Sequence, residues 1–175
     1  MRLTSTETAA AADADLLVEL RPLVVRTVRL TVGAGSAVAE DAAQEALVEL
    51  ARSLPRLRER RAARAFAARV AMRVALRTAR RERRFAFFGL REREPPADLG
   101  HTAPELIDLK QAFDRLPARQ RATAVLRLYV GLTEEETAEA LQCSVGTVKS
   151  QLHDARRSLA AYLAVDDTNG KRGDA

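Results

Sequence analysis

An all-α fold is predicted for this chain, arranged as two small helical domains joined by a linker. Three observations carry that expectation. Apolar residues recur at spacings of three and four, no segment alternates as a half-buried strand would, and a proline-rich stretch poor in apolar residues interrupts the pattern near the middle. A length of 175 residues permits one domain or two small ones. With no Trp, five Phe and two Tyr, a core must be built mainly from Leu, Val and Ala, a composition that favours helices.

The first element is predicted from Leu16, Leu17, Leu20, Leu23, Val24, Thr27, Val28 and Thr31, which share one helical face. Pro22 falls inside that run and is expected either to kink the helix or to mark a new first turn, since proline lacks the amide donor and clashes with the turn before it. Gly33, Ala34 and Gly35 should end the segment, and Ser36 can cap a second helix whose apolar face is Ala43, Ala46, Leu47, Leu50 and Leu54. A third helix is expected from about Arg60 to Arg84, because Phe66, Val70, Val74 and Thr78 recur every four residues. These elements make up a first domain over residues 10–88.

The segment from Arg91 to Pro104 holds three prolines and a glycine, so residues 89–104 are assigned to the linker. The second domain is expected over 105–163. Leu106, Leu109, Phe113 and Leu116 mark one helix there. Another begins with Pro117 in the first turn, carries Ala122, Val125, Leu126 and Tyr129, and stops at Gly131. The polar tail, residues 164–175, is expected to be disordered.

The chain carries +5 overall, yet Arg52 to Arg93 holds fifteen Arg against Glu59, Glu82 and Glu92, a local +12 that leaves the remainder net acidic. Arg suits phosphate oxygens and guanine edges, so an anionic partner is expected, although a GC-rich coding sequence would also enrich Arg. Arg69, Arg73, Arg77, Arg80, Arg81 and Arg84 form a stripe along the third helix at spacings of three and four. Stacked like charges destabilise a helix unless phosphates neutralise them. The single Cys143 cannot form an internal disulfide, and two His give no zinc ligand set, so no metal or cofactor is expected. His101 and His153 have no triad partner, metal spacing or phosphate loop beside them, which argues against an enzyme. No stretch approaches the roughly 18 apolar residues of a membrane span, and the N-terminus lacks the apolar core of a signal peptide; the expected location is the cytoplasm.

Thr133-Glu-Glu-Glu136 has the form of a capping box and should open a short helix with Thr137, Ala138 and Leu141 inward. After the turn Gln142-Cys143-Ser144, Ser144 can cap a second helix through Val145, Val148, Leu152, Ala155 and Leu159. Two short helices joined by a tight turn form a helix-turn-helix, which places its second helix in a DNA major groove. Thr147, Lys149, Ser150, Gln151, His153, Arg156 and Arg157 would then be the residues left to meet bases and phosphates. Helical hairpins with this spacing also occur without touching DNA. Residues 105–163 contain eight acids and eight bases, so this half should bind DNA weakly by itself.

The segment LPARQRATAVLRLYVGLTEEETAEALQCSVGTVKSQLHDARRSL resembles region 4 of the extracytoplasmic-function group of bacterial RNA polymerase sigma factors. AEDAAQEALVELARSL resembles the region 2 helix that docks on the polymerase, and AFAARVAMRVALRTARRERR the promoter-melting helix after it. The two likenesses span about residues 14 to 163 in the family's order. The resemblance implies promoter DNA and core RNA polymerase as partners, through the beta-prime coiled coil and the beta flap, and an anti-sigma factor. It assigns core docking to Asp41, Gln44 and Glu45, which share a polar face opposite the leucines. It assigns the minus-ten element to the arginine stripe and the minus-thirty-five element to Thr147 through Arg157.

Departures from the family are also visible: Phe66 stands where Trp is common, Arg73 where Asn is, Arg77 where Asp is, and Gln151 and Asp154 where Arg is. Asp154 could pair with Arg157 or accept from a cytosine amino group. Phe85, Phe87 and Phe88 could stack on exposed bases, but packing of the linker onto the first domain is favoured. The rival reading is a helix-turn-helix transcription regulator that binds closed duplex DNA alone. Such a protein needs a dimer surface or sensory domain, and the N-terminal half suggests neither.

Overall fold

The computed structural model describes residues 5–32, 36–57, 59–87 and 110–170, and among them every regular element is helical. The chain divides into two compact units, Met1–Asp98 and Leu99–Ala175.

In the first unit, α1 (Ser5–Val32), α2 (Ser36–Ser53) and α3 (Ala63–Phe87) each pack against the other two. Pro22 is exposed within α1, which continues on both sides of it, so it does not mark a new first turn. The buried face of α1 carries Leu20, Leu23, Val24, Thr27, Val28 and Thr31; α2 adds Ala42, Ala43, Ala46 and Leu50; α3 adds Ala67, Ala71, Met72, Val74 and Thr78. Burying a Val or Leu side chain stabilises by about 1.5–3 kcal/mol, and the alanines let the helix backbones approach closely. The buried Thr31 hydroxyl is accommodated by donating to the Thr27 carbonyl one turn back, at 2.7 Å.

Two short 3₁₀ turns, Leu54–Arg56 and Arg60–Ala62, connect α2 to α3. Pro55 supplies the first with a preset φ and needs no donor there. Arg60 reaches α1, donating to the Ala12 carbonyl at 3.0 Å and to Asp13 at 2.7 Å. The region expected to open α3 is therefore a separate turn, and regular α-helix starts at Ala63.

The second unit begins with a helical segment over 110–114, here α4, which buries Ala112 and Phe113. Pro117 sits just before α5 (Ala118–Ala124) rather than in its first turn. The helix then widens into a π turn, Val125–Val130, before Gly131 ends it with φ +84°. The Leu126 carbonyl accepts from both Gly131 and Leu132 amides, which closes the terminus. Arg121 ties the preceding loop down, donating to the carbonyls of Asp114 at 2.7 Å and Leu116 at 3.2 Å. Helices α6 (Glu134–Leu141) and α7 (Val145–Gly170) complete the unit, with Val148, Leu152 and Ala155 of α7 buried against the rest. α7 extends through Gly170, so the first part of the expected disordered tail is helical. Extending an existing helix costs far less than nucleating one, and no proline intervenes.

Candidate nucleic-acid interface

The turn between α6 and α7 is built as its residues predict. Thr133 Oγ1 accepts from the Glu136 amide at 3.1 Å, and Glu136 Oε2 accepts from the Thr133 amide at 2.8 Å. Gln142 ends α6 in the left-handed region with φ +51°, and Ser144 Oγ accepts from the Thr147 amide at 3.1 Å to open α7. The Glu135 carboxyl is held below the ordinary carboxylate range, first by its own backbone amide and then by the Thr133 hydroxyl, with the charges of Lys149 and Arg127 adding to the effect.

Not all the residues expected to face DNA on α7 are equally exposed. Lys149, Ser150, His153, Arg156 and Arg157 are exposed, whereas Thr147 and Gln151 are half-buried. Lys149 pairs with Glu134 at 3.5 Å, and Arg157 with Asp154 at 3.7 Å, one of the two arrangements anticipated for Asp154. Gln151 departs most from expectation: its Oε1 accepts a 2.6 Å hydrogen bond from the buried Thr123 hydroxyl on α5. Thr147 bonds locally, its hydroxyl lying 2.9 Å from that of Ser144.

On α3, Arg73, Arg77, Arg80, Arg81 and Arg84 are exposed and Arg69 is half-buried. The stripe is not uniformly positive. Arg77 Nη2 donates to Glu45 Oε1 at 2.6 Å, and Arg73 pairs with Glu49. As the chain advances one turn along α2, from Glu45 to Glu49, the partner retreats one turn along α3, so the two helices run antiparallel. Arg81 lies 3.9 Å from Glu82. Phe85 and Phe87 fall in the last turn of α3, but their side chains, like Phe88 and the linker at 89–104, lie outside the described residues.

Asp41, Gln44 and Glu45 are all exposed on α2. Val48, 49% exposed, shares the face of Asp41 and Gln44, and the sequence reading did not single it out. Its signal was available: Val48 follows Gln44 by four residues and Asp41 by seven, the spacing of one helical face.

The decisive comparison is with family models. The Sigma-70 region 2 model matches residues 16–85 and the Sigma-70 region 4 model matches residues 106–159, together well over half of the chain. The chain belongs to the sigma-70 family. Curated relatives named as ECF, or extracytoplasmic-function, factors are among those it matches: the chain is 40% identical over 68 residues to the ECF RNA polymerase sigma factor EcfG of Rhodopseudomonas palustris, across 38% of each chain. It is 39% identical over 69 residues to the ECF RNA polymerase sigma factor SigE of Mycolicibacterium smegmatis, across 39% of this chain and 27% of that one. The matched stretch thus spans less than half the length of these curated relatives.

Two solved structures share the fold of this sigma-70 family member. CnrH, solved in complex with the cytosolic domain of CnrY, superposes with a TM-score of 0.60 at 21% identity, over 91% of this chain and 94% of that one. The sigma factor RpoE of Bartonella quintana, solved with the anti-sigma factor NepR, gives a TM-score of 0.69 at 23% identity, over 86% of this chain and 95% of that one. Among the described residues no helix is long and apolar enough to cross a membrane, and no cluster of His, Cys, Asp or Glu could hold a metal ion.

Proposed function

We propose that this chain is an ECF sigma factor, which binds core RNA polymerase and directs promoter-specific initiation of transcription. The observation that carries this reading is the pairing, in one chain and in family order, of a region 2 unit bearing an exposed arginine stripe with a region 4 unit bearing a doubly capped helix-turn-helix. In this reading α2 docks on the beta-prime coiled coil through Asp41, Gln44 and Glu45, with Val48 as the apolar contact at the centre of that face. The second unit engages the beta flap. Arg69, Arg73, Arg77, Arg80, Arg81 and Arg84 hold the opened minus-ten strand, Arg73 and Arg77 by exchanging their carboxylate partners for phosphates. Lys149, Ser150, His153, Arg156 and Arg157 meet the minus-thirty-five duplex. The activity is recognition and strand opening rather than catalysis, and the setting is the cytoplasm, under the control of an anti-sigma factor.

Charge supports dependence on core enzyme. Lys149 and Arg157 of α7 already face acidic neighbours and residues 105–163 balance eight acids against eight bases, so the second unit offers phosphate little net charge of its own, and cation contacts to phosphate supply most non-specific affinity. Run-off transcription with purified core enzyme and a library of genomic promoters tests the reading. A transcript that needs both this chain and core enzyme, from defined start sites, is expected; specific duplex binding by the chain alone with no core-dependent transcript would favour the closed-duplex regulator instead.

A further inference from the structure

Gln151 was expected on the DNA face, but its surroundings assign it other work. It stands three residues after Val148 and four before Ala155, both fully buried, so it flanks the apolar seam by which α7 packs on its own unit. Ser150, His153 and Arg157 share the opposite face, at i, i+3 and i+7. Its amide oxygen meets Thr123 Oγ1 at 2.6 Å, and Thr123 is wholly buried on α5. That separation suits an O–H···O bond, whose usual length is about 2.7–2.8 Å, better than an N–H···O bond near 2.9–3.0 Å. The threonine therefore donates, and the glutamine oxygen is turned toward the protein.

Val148, Leu152 and Ala155, the other buried side chains of this seam, are apolar. Apolar burial is non-directional and tolerates small rotations and slides, whereas a hydrogen bond weakens steeply once bent or stretched. A slide of one residue along α7 is about 1.5 Å, enough to break a 2.6 Å contact. The bridge from Lys149 to Glu134 is longer, at 3.5 Å, and joins an exposed side chain, so it constrains α7 less.

We propose that Thr123 and Gln151 form a positioning pair that sets the rotation and axial placement of α7, and that Gln151 influences promoter recognition by placing Lys149, Ser150 and His153 rather than by touching DNA. The inference rests on the reading of α7 as the upstream-element reader. It gives Gln151, where the family commonly carries Arg, a role inside the fold.

The test uses full-length chain assembled with core RNA polymerase, and a promoter recovered by selection with that holoenzyme, in matched form and with the upstream element scrambled. The variants are Thr123→Val, Thr123→Ser, Gln151→Leu, Gln151→Glu and the double variant Thr123→Val/Gln151→Leu. Thr123→Val and Gln151→Leu should each lower discrimination between the two promoters by about fivefold or more, the scale of a lost base contact. The double variant should lose no more than either single one, because both remove the same bond. Thr123→Ser and Gln151→Glu, which keep donor and acceptor, should retain discrimination, and the salt dependence of binding should stay unchanged in every variant but Gln151→Glu, because the others lose no phosphate contact and add no charge. Discrimination intact in Thr123→Val but lost in Gln151→Leu would overturn the proposal, since Thr123 is buried and cannot reach DNA. Absence of any preference in the wild-type holoenzyme would instead overturn the reading of α7 on which the proposal stands.

Discussion

Glu45 of α2 accepts a 2.6 Å hydrogen bond from Arg77 of α3, joining a residue assigned to polymerase docking to one assigned to promoter DNA. With Glu49 and Arg73 it forms two rungs between antiparallel helices. All four side chains are at least a third exposed, so each rung is worth less than about 1 kcal/mol in stability. Pairs this weak can be exchanged for phosphates at little cost.

Replacing Glu45 and Glu49 together by Gln should therefore leave the unfolding midpoint of the chain nearly unchanged. It should also steepen the salt dependence of single-stranded DNA binding, since each released arginine adds roughly 0.7 to the slope of log K against log salt. Fluorescence anisotropy across a salt series measures this. A slope and an affinity both equal to those of the wild type would mean that Arg73 and Arg77 do not contact phosphate even when unpaired.

The exposed face of α2 offers a second check. Asp41→Ala, Gln44→Ala and Val48→Ala remove side chains that lie in solvent, so stability should stay within about 0.5 kcal/mol of wild type while association with core enzyme weakens. Leu50→Ala, on the buried side of the same helix, should cost about 2–5 kcal/mol. Pull-down on immobilised core enzyme, set beside thermal unfolding, separates the two faces. Unchanged capture of all three surface variants would remove the docking assignment.

Thr133→Ala should destabilise the second unit by about 1 kcal/mol through loss of its cap. It should also let the Glu135 carboxyl titrate at higher pH, because the Thr133 hydroxyl helps to hold it down. The sign follows from that depression: the stabilisation tied to Glu135 is present above its ordinary value of 4.5 and is lost as pH falls through the lower folded value. NMR titration of the Glu135 side chain, with and without the substitution, follows both.

Two positive φ angles make a matched pair. Gly131, at +84°, has nothing within 4 Å of an added Cβ, so Gly131→Ala should destabilise by backbone strain alone, about 1–2 kcal/mol. Gln142, at +51°, already bears such strain, and Gln142→Gly should stabilise by up to about 1 kcal/mol after the added flexibility of the unfolded chain is counted. Urea unfolding gives both values, and shifts of equal sign would contradict the argument.

Much of this was legible from periodicity and local chemistry. The apolar spacings placed the buried faces of α1, α2 and α3, and the capping box at Thr133 and the serine cap at Ser144 emerged with the partners their spacing implied. What escaped was long-range. Nothing local tells Glu45 that Arg77, 32 residues away, will stand opposite, although matching i, i+4 pairs on two successive helices were a usable hint. The Thr123–Gln151 bond escaped for the same reason: the type of Gln151 suits DNA, and only packing of α7 on α5 reveals Thr123 beside it. The π turn also lay beyond local rules, because a widened turn depends on how its last amides share the Leu126 carbonyl.

The alanines buried on α2 and α3 have a consequence for which changes this protein tolerates. Ala42, Ala43, Ala46, Ala67, Ala71 and Ala75 are buried, and each gave up no rotamer freedom on folding. Such an interior has few methylenes to lose and no room to gain them. Its vulnerability is to growth rather than loss: one added ethyl group at these positions would push two backbones apart, and with them the surfaces that α2 and α3 present on opposite sides of the seam. Sequence drift at these positions is confined by size from above.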